Sequence, residues 1–130
     1  MKIMVCFDGS NASRSALNIA IKYARVFEAK IYLVASMEKG KEDEQKIIRR
    51  LETELKNGKD KLADEGIACE TNLLVRGMSP DEDLVTYARE QGIDEIAIGI
   101  RKRSKVSKMF FGSTAQYLIL NAHCPVITVK

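Results

Sequence analysis

The sequence predicts a single α/β domain built on a doubly wound parallel sheet, and three observations lead there. Short, almost continuous apolar runs recur along the chain, as expected of strands covered on both faces. Amphipathic helical stretches separate them, giving the pattern βαβαβαβαβ, and such alternation places helices on both sides of a parallel sheet. The 130 residues are enough for one domain with a real core, spanning 1–130, and no repeat, linker or low-complexity tract divides them.

The first strand covers residues 2–7 and stops at Asp8-Gly9-Ser10, a turn signal that also opens a helix. That helix runs over about 11–28, with Ala16, Ala20, Ala24 and Phe27 on its apolar face beside Leu17 and Ile21. Residues 31–36 form the second strand. The charged stretch 40–65 carries Ile48, Leu51, Leu55 and Leu62 at helical spacing with Gly58 in the same seam, so a long surface helix docks by a narrow stripe. Gly66 ends it, and 68–75 is the third strand. Next come Ser79, Pro80 and Glu82, a capping box with proline at the first helical position. The helix 80–91 buries Leu84, Val85 and Ala88. After a fourth strand at 94–99 and a loop, the helix Ser113–Asn121 turns Ala115, Leu118, Ile119 and the following Ala122 inward. His123-Cys124-Pro125 then leads into a last strand, Val126–Val129.

Composition narrows the function classes. Hydrophobic residues at 45% and charged ones at 30% describe a folded globular chain. No apolar run approaches the ~20 residues of a membrane helix, and Asp8 comes too early for a signal-peptide core. Cys6, Cys69 and Cys124 are odd in number, far apart and free of any C-x-x-C pair. A disulfide framework and a zinc site are therefore not expected; reduced thiols in the cytoplasm are. His123 is the only histidine, which leaves no His-based metal site and no His-activated nucleophile.

Charge singles out one stretch. No acidic residue follows Glu95, while Arg101, Lys102, Arg103, Lys105, Lys108 and Lys130 are positive. With the whole chain at +3, those six leave the first 95 residues at −3, so the basic excess belongs to the loop after the fourth strand. The loop runs from Gly99 to Gly112-Ser113-Thr114, where a helix begins. A strand, a loop and a helix N-terminus together suit phosphate, because the first helical N–H groups lack internal partners and the helix dipole is positive there. The glycines allow close backbone approach and the hydroxyls can donate. An ordinary connection, with Gly112 as a turn and Ser113 as the N-cap, is the plainer alternative. Open parallel sheets bind ligands beyond the carboxyl ends of their strands, which makes the ends of strands one and four, Asp8-Gly9-Ser10 and Gly99, the candidates. Phe110 and Phe111 are expected to anchor the loop to the core rather than to stack on nucleic acid, which is not an expected partner.

At these residues the chain resembles the universal stress protein family over essentially its whole length. The resemblance rests on Val5-Cys6-Phe7-Asp8-Gly9-Ser10, on Gly77, Ser79 and Pro80 before a helix, on the 94–99 strand, and on Cys124-Pro125-Val126. Nucleotide-binding members carry a glycine, two residues, a second glycine, nine residues, then Gly-Ser or Gly-Thr. Gly99 and Gly112-Ser113 match at that spacing, and Lys102 stands where the second glycine would be. The resemblance implies a five-stranded sheet in order 3-2-1-4-5 and a homodimer through the strand Val126–Val129. It implies ATP or AMP as ligand, with any magnesium held mainly by the phosphates and no protein metal site. Cys6, Ser36 and Ile98 would line the adenine pocket. Asp8 would lie near the ribose or a phosphate-bound metal, and Gly99, Gly112, Ser113 and Thr114 would hold ribose and phosphates. Lys102 is expected to aim its ammonium at the phosphates.

A nucleotide-binding stress or signalling protein that passes its state to an unidentified protein partner is the leading expectation. The alternative is a nucleotide-free dimeric adaptor acting through protein contacts. A nucleotide-using enzyme is the weaker third, since no nucleophile–base pair is evident; no catalytic residue is expected, although slow ATP hydrolysis stays open.

Overall fold

The computed structural model describes residues 1–101 and 112–130. Along the chain run β1 (Lys2–Cys6), α1 (Asn11–Phe27), β2 (Lys30–Ser36), α2 (Glu44–Asp64), β3 (Cys69–Leu74), α3 (Pro80–Glu90), β4 (Glu95–Gly99), α4 (Ser113–Asn121) and β5 (Val126–Val129). All strand pairs are parallel and the order is β3-β2-β1-β4-β5, as expected.

Successive strand residues point to opposite faces, so the central strands feed two cores at once. Ile3, Val5 and Ala97 pack with Leu17 of α1 and Leu55 of α2. Met4, Ile96 and Ile98 pack with Leu84 of α3 and Leu118 of α4. Side chains such as Leu17, Leu62 and Leu118 are essentially fully buried, and each is worth roughly 1.5–3 kcal/mol of removed apolar surface.

Small residues set the spacing between the layers. Ala16, Ala20 and Ala24 form the buried row of α1. In the middle of α2, a Cβ on Gly58 would stand 3.0 Å from Leu33 Cδ1, so the glycine lets that helix sit close to β2. The close approach offsets a helix-propensity cost of about 1 kcal/mol.

Two side chains depart from the sequence expectation. Phe27 is 56% exposed and Ile119 45%. Phe27 closes α1 beyond its last buried alanine, Ala24, and meets the edge of Tyr23 with ring centroids 6.5 Å apart. The short helix α4 buries only Ala115 and Leu118 fully, with Tyr117 packed partly against the same core, a stripe that leaves out Ile119. Phe110 and Phe111 lie outside the described residues, so their anchoring role does too, as do Lys102, Arg103, Lys105 and Lys108.

The chain leaves β1 toward β2 on one side, and β4 flanks β1 on the other. Strand order reverses between β1 and β4, which opens a crevice beyond their carboxyl ends.

Candidate functional site

That crevice is a cavity of about 570 Å³. Eight of the nine residues singled out from the sequence line it: Cys6, Asp8, Ser36, Ile98, Gly99, Gly112, Ser113 and Thr114. The ninth, Lys102, lies outside the described residues. Ser36 reaches the rim because Cys6 pairs with Val34 in the β1–β2 register, and β2 continues two residues further.

One half of the cavity is apolar. Cys6, Val34 and Ile98 come from the strand ends, and Pro80 and Leu84 from α3. Burial pushes the Cys6 thiol up to about 12, with further upward contributions from the charges of Asp8 and Asp81. It stays protonated at neutral pH, acts as a small apolar contact and reacts only slowly with electrophiles.

The other half is polar and begins at the turn after β1. Gly9 adopts φ +82°, a backbone that a side chain would strain, and the Glu54 side chain fills the space where a Cβ would go. The Ser10 N–H donates to Asp8 Oδ1 at 2.9 Å. The Ser10 hydroxyl oxygen accepts from the Ser13 N–H at 3.2 Å, and the Ser13 hydroxyl donates to the Ser10 carbonyl at 3.0 Å. Burial works to raise the Asp8 pKa, but the Ser10 hydroxyl and N–H, the Ser13 hydroxyl and the Arg101 charge outweigh it, and the carboxyl titrates below its usual 3.8. Asp8 is therefore an anion at neutral pH, with a cation beside it.

Gly99 and Gly112 are glycines for different reasons. A Cβ on Gly99 would run into the backbone carbonyl of Ala12, so that glycine admits the N-terminus of α1, not a ligand. Around Gly112 no atom of the described residues lies within 4 Å of a Cβ position. The residue is itself the N-cap of α4, one position before the expected Ser113, and it offers no side chain to the helix.

Three helix N-termini thus reach the cavity, and they differ. The Ser10 side chain caps α1 and the Ser79 side chain caps α3. The first turn of α3 also holds Asp81, Glu82 and Asp83, whose charges already complement its dipole. α4 has neither a side-chain cap nor an acid in its first turn. Its first intrahelical bond at this end is the Gln116 N–H to the Gly112 carbonyl at 3.1 Å, leaving the N–H groups of Ser113, Thr114 and Ala115 without helical acceptors. Among the described residues no cluster of three or more His, Cys, Asp or Glu side chains is arranged to hold a metal.

The Universal stress protein family profile matches residues 1–130. The chain belongs to this family. A universal stress protein of Methanocaldococcus jannaschii is 30% identical over 140 residues, covering 99% of this chain and 81% of the relative. The solved universal stress protein of Archaeoglobus fulgidus superposes with a TM-score of 0.88 at 34% identity, covering 100% of this chain and 93% of that one. A second structure from Archaeoglobus fulgidus, a universal stress protein in complex with dAMP, gives 0.84 at 31% identity over 99% and 96% of the two chains.

Sequence reasoning passed over several cavity residues. Arg101 was grouped with the basic loop, Pro80 was placed at a helix start and Leu84 in the core, and Ser13 and Val34 were not singled out. Only for Ser13 was there a usable signal, its spacing of three from Ser10 at a helix start.

Proposed function

We propose that this universal stress protein is a stress or signalling protein that binds an adenine nucleotide, AMP or ATP. The base lies in the apolar half of the cavity between Ile98, Val34 and Leu84, with Ser36 at its rim. The ribose lies against Asp8, and the phosphates lie on the N-terminus of α4, with Ser113 and Thr114 donating. One observation carries the reading: α4 is the uncapped, acid-free helix end among three at the same cavity, and such an end attracts an anion. The related Archaeoglobus fulgidus protein in complex with dAMP supports the same ligand class. Magnesium, when present, rides mainly on the phosphates, since Asp8 is the single carboxylate lining the cavity among the described residues.

The role proposed is binding in the cytoplasm, not turnover, because the groups bonded to Asp8 fix it as an acceptor and supply no proton relay. Denaturing the purified protein and measuring released nucleotide by mass spectrometry, followed by calorimetric titration with AMP, ATP and adenosine, tests this directly. Absence of both copurified and added nucleotide hands the protein to the adaptor reading, which Val26 and Leu120, 74% and 72% exposed, favour in their own right.

A homodimer through β5 belongs to the same proposal. β5 is a sheet edge of four β-branched residues, none fully buried, and an unpaired edge of this kind invites pairing. Light scattering at tens of micromolar is expected to report a dimer, and Thr128→Pro a monomer. A monomeric wild type, or a dimeric proline variant, overturns the edge pairing.

A further inference from the structure

Asp83 is a carboxylate at 0% exposure, and ligand contact leaves it without a task. It sits in the first turn of α3, beside Leu84, which lines the cavity. Its partner is Arg76, which follows β3. The guanidinium grips α3 at three points: Nε donates to Asp83 Oδ1 at 2.6 Å, Nη2 to the Asp83 carbonyl at 3.4 Å and Nη1 to Glu90 Oε1 at 3.1 Å. One group thus holds a backbone carbonyl near the start of the helix, a buried carboxylate and a side chain near its end.

We propose that Arg76 and Asp83 are a positioning pair that sets the depth and direction of α3, and so places Pro80 and Leu84 as a wall of the cavity. The turn between β3 and α3 does little of this itself. Gly77 has φ +80°, and Gly77 and Ser79 are both exposed. Stability alone is a poor account of the pair, because Asp83 Oδ2 is buried with no hydrogen-bond partner among the described residues. An ion pair between a buried carboxylate and a partly exposed guanidinium, left incomplete in this way, is readily matched in stability by apolar residues of similar volume. What an apolar pair lacks is direction, and three fixed acceptors on one planar guanidinium supply it.

Cys6, packed against the same core cluster as Leu84, reports on that wall without any ligand. The rate at which N-ethylmaleimide modifies Cys6, followed by peptide mass spectrometry, is measured in wild type, Asp83→Asn, Arg76→Gln and the double variant Arg76→Met/Asp83→Leu. Leu62→Ala, in the opposite core cluster, controls for lost stability. Both single variants are expected to label Cys6 about tenfold faster. The double variant is expected to regain the wild-type Tm yet keep the fast labelling. AMP affinity is expected to fall about tenfold in all three, an effect that rests on the nucleotide reading above. Return of slow labelling together with Tm in the double variant overturns the proposal, as does labelling that merely follows Tm along with Leu62→Ala. The labelling pattern without any AMP binding by wild type sustains the positioning role and sinks the nucleotide reading instead.

Discussion

The N-termini of α3 and α4 both reach the cavity, yet only that of α3 has its dipole answered by its own residues. α3 is closed by its own residues: the Ser79 hydroxyl oxygen accepts the Glu82 N–H at 3.3 Å, Pro80 occupies the first position, and three acids answer the dipole. α4 begins at a glycine that caps nothing and has no acid in its first turn. The same backbone geometry therefore serves two ends. Where the sequence supplies the counter-charge, the helix end is a wall; where it withholds it, the end is left open for the anion we propose. A free helix terminus costs stability in the empty protein, and a ligand that satisfies it gains the corresponding free energy on binding.

Making α4 resemble α3 is the strongest way to break that contrast. Gly112 has the extended backbone of an N-cap, φ −55° and ψ 156°, with space for a side chain. Gly112→Asp is expected to cap the helix and raise stability by roughly 0.5–1 kcal/mol. The same carboxylate would face the phosphates, and like charges brought together cost enough to lower ATP affinity about hundredfold. Adenosine, which carries no phosphate, should bind within about threefold of wild type. Calorimetric titration with both ligands checks this; equal losses for ATP and adenosine would place the phosphates elsewhere.

Lys102 sharpens the contrast from the loop that precedes α4. If its ammonium grips phosphate, Lys102→Gly should weaken ATP binding about tenfold, since a charge-assisted contact discounted for solvent screening is worth about 1.5 kcal/mol. The loss should shrink at high salt and be smaller for adenosine. A fluorescent ATP analogue titrated into wild type, Lys102→Gly and Lys102→Ala at two salt concentrations decides it. Tighter binding in the glycine variant would show that the lysine obstructs the site.

The converse change, opening α3, should leave the ligand alone. Ser79→Ala removes a local cap and is expected to cost about 1 kcal/mol of stability, seen in urea unfolding, while nucleotide affinity stays unchanged. The acids of that first turn keep it unattractive to phosphate even when the cap is gone. New anion binding at α3 in this variant would mean that capping, not charge, separates the two helices.

What could be read from the sequence follows the range of the forces involved. The Ser79 cap was legible because it needs only Ser79, Pro80 and Glu82, all within one turn. The alternation of apolar strands and amphipathic helices declared the fold class, whereas the strand order came from family resemblance, because periodicity carries no information about which strands are neighbours. The site residues were legible as strand ends and a helix start. Their reasons were less so. Gly99 is a glycine because Ala12 lies against it, and only folding brings those two together. Asp83 was not singled out, because its pairing depends on Arg76 folding back across the β3–α3 turn. Ile119 and Phe27 fail for a related reason: a helical stripe shows which side faces inward, not how far its edge is covered.

The α1 terminus stands between the two extremes, and it yields the smallest and most pH-dependent effect. It is capped by Ser10 and has no acid in its first turn, but Asp8 lies just before it and braces the cap by accepting the Ser10 N–H. The Asp8 pKa is lowered in the folded protein relative to its ordinary 3.8. A depressed folded pKa stabilises the fold above the unfolded value and is lost as pH falls through the folded one. The contribution should therefore be fully present near neutrality and decline only below about pH 4. Because Asp8 is exposed, solvent screening keeps it small. Asp8→Asn replaces the anion with a neutral acceptor, so its Tm should trail wild type slightly at pH 7, and the gap should close as pH falls below about 4. Thermal melts of both proteins from pH 7 to pH 3 test the sign. A gap that widens on acidification would mean that burial dominates Asp8 and its anion is a burden to the fold, leaving the α1 end free to compete with α4 for the ligand.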